Sequence, residues 1–396
     1  MQSLLLKLKI TAKTPLLAIF LCLSIMFSLS SCGQGEALDT SSASVTPISL
    51  TSSNEPSDLT VSARSAIAIE ASSGNIYFQK NANERLPMAS TTKIMTALVA
   101  IESYDVQKIV DVSPLAVGVE GSSIYLYPNE RLSLYDLLCA LLLESANDAA
   151  AAIAIEIGGS ITGFADMMNK KADELGLKDT SFENPHGLDG EDHYTTAHDL
   201  AIISLAAMQN QTFREIVSTY KKSIPQNNTQ GARLLVNHNK MLKNYDGAIG
   251  IKTGFTKKSG RCLVSCAKRD GVELICVTLN APNDWQDHEN MLNLGFSLYR
   301  YESLYGVGEY KIMQSVASGE NSYVMLSNSE PLGMLTRGNG EIIEHIELFP
   351  FDYAPIAKNQ VLGQIYYTQN GKIIAKSPLV ADYSVAAKKY KRGLFG

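Results

Sequence analysis

From residue 62 onward the apolar positions recur with two different periods. Residues 66–71 and 76–79 are short apolar runs flanking Ser72-Ser73-Gly74-Asn75, a cluster of turn formers, and they predict a β-hairpin. After Pro87 the period lengthens. Ile94, Met95, Leu98, Val99 and Ile101 recur at three- and four-residue spacing, which predicts a helix. Ser133 with Asp136 opens an apolar helix over 134–143 in the manner of a capping box. An alanine-rich helix over 148–157 stops at Gly158-Gly159. Further helices are expected over 164–175, ahead of Gly176, and from a Thr196/Asp199 cap through Ala207. Beyond Gly247 the period returns to two. Residues 249–256, 262–268 and 272–279 read as three strands joined by glycine-containing turns, and 283–301 as a long amphipathic helix.

This order implies an α+β domain. Two strands open it, helices fill its middle, and three strands and a helix close it. Successive hairpins make the sheet antiparallel, with a helical lobe inserted. Residues 305–383 differ: short strands, frequent Gly, Asn and Pro, and an Asn370-Gly371 hairpin signal between 364–368 and 372–375. They predict a small all-β second domain. The expected organisation is a signal peptide over 1–31, a tether over 32–61, a catalytic-type domain over 62–303, a β domain over 304–383 and a basic tail over 384–396.

The N-terminal assignments rest on local pattern. Lys7, Lys9 and Lys13 precede an apolar run over 15–29, too short for the roughly 20 residues of a spanning helix. The run ends in Leu29-Ser30-Ser31-Cys32, which resembles the lipobox of bacterial lipoproteins. That resemblance implies cleavage before a diacylated Cys32, and two acyl chains suffice for stable anchoring. The following Ser/Thr-rich stretch over 33–60 reads as a flexible spacer.

Composition narrows the class. The 396 residues are 45% hydrophobic and 19% charged, with net charge −6. Residues 1–31 hold three lysines and no acid, so removing them leaves 31 basic against 40 acidic residues, a net charge of −9. No basic stripe is available for phosphate neutralisation, which argues against a nucleic-acid partner. Cys139, Cys262, Cys266 and Cys276 lie in apolar stretches and read as buried free thiols. Cys262 and Cys266 are about 13 Å apart on one strand, beyond disulfide reach. A turn centred near Asp270-Gly271 sets Cys276 opposite Leu263 or Ser265. C-x-x-C is absent, and His288-Glu289 fails as H-E-x-x-H because Leu292 stands at the second ligand position, so no metal or cofactor is expected.

Three short motifs carry chemistry. Ser90-Thr91-Thr92-Lys93 sets a hydroxyl and an amine one helical turn apart. A lysine of lowered pKa can deprotonate such a serine. By itself the spacing is weak, since S-x-x-K arises about twice by chance in such a chain. Ser145-Ala146-Asn147 offers a hydroxyl for proton relay and an amide for orientation. In Lys252-Thr253-Gly254 a cation and a hydroxyl can hold a carboxylate, and the glycine lets substrate approach the strand.

Taken in order, S-x-x-K, S-x-N and K-T-G are the signature set of serine β-lactamases and penicillin-binding proteins. The middle motif here is S-A-N. Pro87-Met88-Ala89 before Ser90, Asn184-Pro185-His186-Gly187-Leu188, Thr196-Ala197-His198-Asp199-Leu200, Asn237-His238-Asn239 and Gly250-Ile251 with Phe255-Thr256 around the K-T-G resemble more narrowly the low-molecular-mass penicillin-binding proteins, the D-alanyl-D-alanine carboxypeptidases. The resemblance covers residues 62–301 and continues more loosely into the β domain.

It implies a hydrolase that trims stem peptides ending in D-Ala-D-Ala during peptidoglycan biosynthesis, and so acts in wall biogenesis and cell shape. β-Lactams would be covalent inhibitors. Ser90 would be the acylated nucleophile and Lys93 its base. Ser145 and Asn147 would shuttle and orient. Lys252 and Thr253 would bind the terminal carboxylate, Gly254 would line the site, and the N–H groups of Ser90 and Phe255 would form the oxyanion hole. The enzyme would sit at the outer face of the bacterial cytoplasmic membrane, held by lipid on Cys32. Many relatives carry arginine where this chain has His198, and none of His186, His193 and His198 is assigned a role. Two rivals share the scaffold: a β-lactamase, and a non-catalytic β-lactam sensor. The first needs E-x-x-L-N between the second and third motifs. Glu289-Asn290-Met291-Leu292-Asn293 has the right letters but follows Lys252.

Overall fold

The hairpin predicted around Ser72 forms, and it seeds the first of two compact units into which the chain divides between Arg300 and Tyr301. The computed structural model describes residues 50–52, 58–226, 231–338 and 340–389. The expected signal peptide, Cys32, most of the tether and residues 390–396 of the basic tail lie outside the described residues.

The first unit runs β1 (Thr51–Ser52), β2 (Ser65–Glu70), β3 (Asn75–Lys80), a 3-10 turn (Ala89–Thr92), α1 (Lys93–Ser103), β4 (Ile109–Asp111), β5 (Arg131–Ser133), α2 (Leu134–Leu143), α3 (Asn147–Gly158), α4 (Ile161–Glu174), α5 (Ala197–Gln209), α6 (Gln211–Ser218), β6 (Lys221–Gln226), β7 (Gly231–Val236), α7 (Met241–Asn244), β8 (Ala248–Thr256), β9 (Gly260–Arg269), β10 (Val272–Leu279) and α8 (Asp284–Leu298). Caps explain several starts. Ser133 Oγ accepts the Asp136 N–H at 3.1 Å and Thr196 Oγ1 accepts that of Asp199 at 2.9 Å, each cap worth about 1 kcal/mol. The fourth helix begins at Ile161, ahead of its predicted start, because Ser160 caps it through the Gly163 N–H. The last helix ends at Leu298 instead of 301, and Tyr299–Tyr305 is strand.

The main sheet has the order β1-β3-β2-β10-β9-β8. An early and a late strand of this unit therefore meet at its centre, where β2 pairs with β10, and the helical lobe is inserted between β3 and β8. Alternation decides the two faces. Ile275 and Val277 join the core shared with the helical lobe, while the Leu274 side approaches α8 beside Gly295. Strand β10 is buried on both faces, which is why it reads as a continuous apolar run. Cys276 pairs with Ser265 in register, and the four cysteines among the described residues are buried and free. Strand β8, which carries Lys252-Thr253-Gly254, is the sheet's edge.

The second unit is all β among its described residues. β11 (Tyr299–Tyr305) pairs with β14 (Leu332–Arg337). A six-stranded sheet also contains β12 (Lys311–Ala317), β13 (Tyr323–Asn328), β15 (Ile342–Leu348), β16 (Asp352–Tyr353), β17 (Val361–Gln369) and β18 (Lys372–Ala381), in the order β15-β17-β18-β13-β12-β16. Asn370-Gly371 makes the β17–β18 turn, as its sequence requires. Val324, Leu326, Ile365 and Leu379 centre its core.

Candidate active site

The helix after Pro87 enters through the 3-10 turn, so Ser90 and Lys93 lie on one face, one turn apart. Ser90 is half-buried and Lys93 is wholly buried. Lys93 Nζ lies 3.0 Å from Ser90 Oγ, 2.7 Å from Asn147 Oδ1 and 2.6 Å from the His186 carbonyl. The amide and the carbonyl oxygen can only accept. A neutral amine spends its two hydrogens on them, and its lone pair then faces Ser90, whose hydroxyl has a proton to give. Burial drives the Lys93 pKa well below its ordinary value and the nearby charge of Lys252 drives it further, against a smaller opposing effect of Asp148. The site thus holds a lysine disposed to be a base.

Asn147 is positioned by a segment that sequence reading overlooked. Its N–H donates to the Ser122 carbonyl at 2.7 Å, and its Nδ2 donates to the Glu120 carbonyl. That segment is held by Asp148, which accepts from Ser123 Oγ at 2.7 Å and from the N–H groups of Leu126 and Ile124 at 3.0 and 3.3 Å. Arg233 on β7 pins its far end, pairing with fully buried Glu130 and donating to the carbonyls of Ile124 and Tyr125. A buried Asp directly after the motif asparagine was the available signal.

A second support is the loop over 184–190, whose Asn184–Leu188 motif sequence reading singled out without giving it a role. Asn184 Oδ1 accepts the N–H groups of His186 and Gly187, and its Nδ2 donates to the Leu188 carbonyl. This turns the His186 carbonyl onto Lys93. The contribution is backbone; the His186 ring is held neutral, its pKa pushed down to about 3 by burial and by the charge of Lys93. Gly187 is required here: a Cβ would lie 2.0 Å from the Ala89 carbonyl oxygen. Thr256 Oγ1 and Lys258 Nζ tie the loop to the β8–β9 turn through Asp189 and the Gly190 carbonyl, each at 2.9 Å.

On β8, Lys252 is buried, with Nζ 3.0 Å from the Thr253 carbonyl, and burial lowers its pKa to about 7. Thr253 is half-buried and the Phe255 side chain is exposed. Gly254 abuts the nucleophile's turn, since a Cβ on it would lie 3.0 Å from the Ser90 nitrogen. The arrangement brings Ser90, Lys93, Asn147 and the edge strand together. Ser145 takes a left-handed turn (φ 59°) between α2 and α3, and among the described residues no hydrogen bond joins its hydroxyl to Ser90 or Lys93. Among the described residues no group of three or more His, Cys, Asp or Glu could hold a metal ion. Glu289 lies on α8, which packs against β2, β9 and β10.

Comparison with known proteins agrees with this geometry. Residues 51–283 match the family model of D-alanyl-D-alanine carboxypeptidase, and residues 299–387 that of the penicillin-binding protein 5 C-terminal domain. The D-alanyl-D-alanine carboxypeptidase DacF of Bacillus subtilis is 36% identical, covering 82% of this chain and 86% of the relative. DacC of Escherichia coli is 32% identical over 85% of this chain and 86% of its own length. The structure of penicillin-binding protein 5 from Haemophilus influenzae superposes with TM-score 0.64 at 27% identity, covering 84% of this chain and all of the other. With the fold, the motif geometry and these relatives in agreement, the chain belongs to the D-alanyl-D-alanine carboxypeptidase family of penicillin-binding serine peptidases.

Proposed function

We propose that Ser90 is the nucleophile of this carboxypeptidase and that Lys93 is the base that activates it. The observation that carries the reading is the buried Lys93 amine, with two pure acceptors and the Ser90 hydroxyl as its hydrogen-bond partners. As Ser90 Oγ attacks the carbonyl of the penultimate D-Ala, its proton passes to Lys93. The oxyanion is held by the N–H groups of Ser90 and Phe255, a pairing supported by Gly254, the residue before Phe255, which abuts the turn of Ser90. The peptide C–N bond then breaks, the leaving D-Ala amine takes the proton from Lys93 by way of Ser145, and water hydrolyses the ester. A β-lactam follows the same first step, and its leaving amine stays tethered to the acyl group.

Lys252 and Thr253 bind the terminal carboxylate. Losing one charged hydrogen bond there costs about 1.5–3 kcal/mol. Lys252→Ala therefore raises KM for peptides with a free C-terminal carboxylate and acts much less on amidated ones. Equal handling of both substrates by the variant and the parent removes the carboxylate assignment. The reaction itself is tested by free D-Ala released from a peptide ending in D-Ala-D-Ala. Sustained turnover is expected; a single burst of penicillin labelling with no D-Ala release points to a β-lactam sensor.

Acting on wall peptides places the domain outside the cytoplasm. Among the described residues no single helix is long and apolar enough to cross a membrane. We assign attachment to lipid on Cys32, supported by the Leu29-Ser30-Ser31-Cys32 end of the apolar run and the polar tether after it. Mass spectrometry of the mature N-terminus is expected to find diacylated Cys32, and Cys32→Ala to block processing there. An unmodified start downstream of Cys32 means a secreted enzyme without that anchor.

A further inference from the structure

His193 is a buried polar residue outside the machinery just described, yet its hydrogen bonds lead to the nucleophile. Its Nδ1 accepts the Glu183 N–H at 3.1 Å, which assigns the ring hydrogen to Nε2. Nε2 lies 2.8 Å from Thr92 Oγ1, and Thr92 Oγ1 donates to the Ala89 carbonyl at 2.8 Å. The direction of the chain is therefore set: ring to hydroxyl, hydroxyl to carbonyl. Burial, followed by the charges of Lys258 and Lys93, pushes the His193 pKa down to about 4 and keeps the ring neutral. Phe182 packs edge-on against it, centroids 5.9 Å apart.

The end of the chain is an unusual place. Ala89 has φ 48°, a left-handed conformation that an alanine rarely adopts. It immediately precedes Ser90. The Ala89 carbonyl and the Ser90 N–H belong to one planar peptide unit, so fixing the carbonyl fixes the N–H. Gly187 and Gly254 lie close to that unit's two ends: a Cβ on Gly187 would stand 2.0 Å from the carbonyl oxygen, and one on Gly254 3.0 Å from the Ser90 nitrogen.

We propose that His193 is a positioning residue: acting through Thr92, it holds the Ala89–Ser90 peptide plane so that the Ser90 N–H points at the developing oxyanion. The inference rests on the reading of Ser90 as nucleophile and oxyanion donor. An N–H aimed at charge that develops only in the transition state affects acylation and leaves ground-state binding nearly untouched.

The test compares His193→Asn, His193→Gln and Thr92→Val with the parent enzyme. Asparagine can reach the Nδ1 position only, so it keeps the bond to Glu183 and loses the one to Thr92. Glutamine reaches the Nε2 position and keeps the bond to Thr92. Expected is an acylation rate with penicillin about a hundredfold lower in His193→Asn and in Thr92→Val, the cost of losing one oxyanion donor. KM for a peptide ending in D-Ala-D-Ala should stay near the parent's while kcat falls. His193→Gln should recover most of the rate, and the Asn/Val double variant should be no slower than either single one, because both break one chain of bonds. Parental acylation rates in both His193→Asn and Thr92→Val overturn the inference, and so do multiplicative effects in the double variant. If His193→Asn does not fold, Thr92→Val at an unchanged unfolding temperature decides alone. Ser90→Ala run alongside separates the two levels. Label persisting on it removes the nucleophile; loss of label there, with Thr92→Val acylating normally, removes only the role of His193.

Discussion

Replacing Ser90 with alanine abolishes both D-Ala release and covalent penicillin labelling. Both reactions acylate one hydroxyl, and among the described residues no other hydroxyl is hydrogen-bonded to the buried amine of Lys93. The expected loss in kcat is at least about 10⁴-fold, as for nucleophile removal in other serine hydrolases. Fold should survive, because Ser90 is half-buried and, among the described residues, its Oγ is hydrogen-bonded only to Lys93. Steady-state release of D-Ala and gel labelling with a fluorescent penicillin check the two halves separately. Persisting label on the alanine variant removes Ser90 from the mechanism.

The second large effect belongs to Lys93. Lys93→Ala should lose acylation by about 10³-fold or more, within the range carried by a positioned general base. Lys93→Arg is the sharper variant. It keeps a cation, but a guanidinium stays protonated and cannot accept the serine proton. It should be as inactive as Lys93→Ala; activity retained by the arginine variant means that the residue acts as a charge and not as a base. The parent's pH profile follows with a definite sign. Burial and the charge of Lys252 lower the Lys93 pKa, and only the neutral amine is competent. kcat/KM should therefore climb with rising pH on one limb whose midpoint lies well below the ordinary lysine value of about 10.4. A profile with no rising limb below that value contradicts the assignment; a falling limb belongs to Lys252, the carboxylate-binding cation whose pKa burial lowers to about 7.

Much of this site was legible because each motif residue answers to local geometry. Ser90 and Lys93 share a helical face whatever the rest of the chain does, and Lys252 to Phe255 are consecutive on one strand. The β-branched, apolar run over 272–279 and the Asn370-Gly371 turn likewise specify their elements locally. What escaped sequence reading is long-range. The His186 carbonyl reaches Lys93 across 93 positions, and Thr92 meets His193 across 101. Backbone carbonyls leave no residue-type signal, and a buried histidine looks like any loop histidine until its partners are known. The small strand pairs β4–β5 and β6–β7 were missed for a related reason. They are short, with polar residues interleaved, and they are set by tertiary contacts such as Arg233 with Glu130 instead of by periodicity. The histidines dismissed together also separate: His198 lies 3.3 Å from Asp199 at a helix start, whereas His186 and His193 both border the nucleophile's turn.

The central claim is that one serine, activated by one buried lysine, takes the acyl group. Penicillin-treated enzyme, digested and sequenced by tandem mass spectrometry, tests it most directly. The account predicts a single penicilloyl adduct, on the peptide that carries Ser90 and on that residue. An adduct on any other side chain, or no adduct in an enzyme that still releases D-Ala, contradicts it.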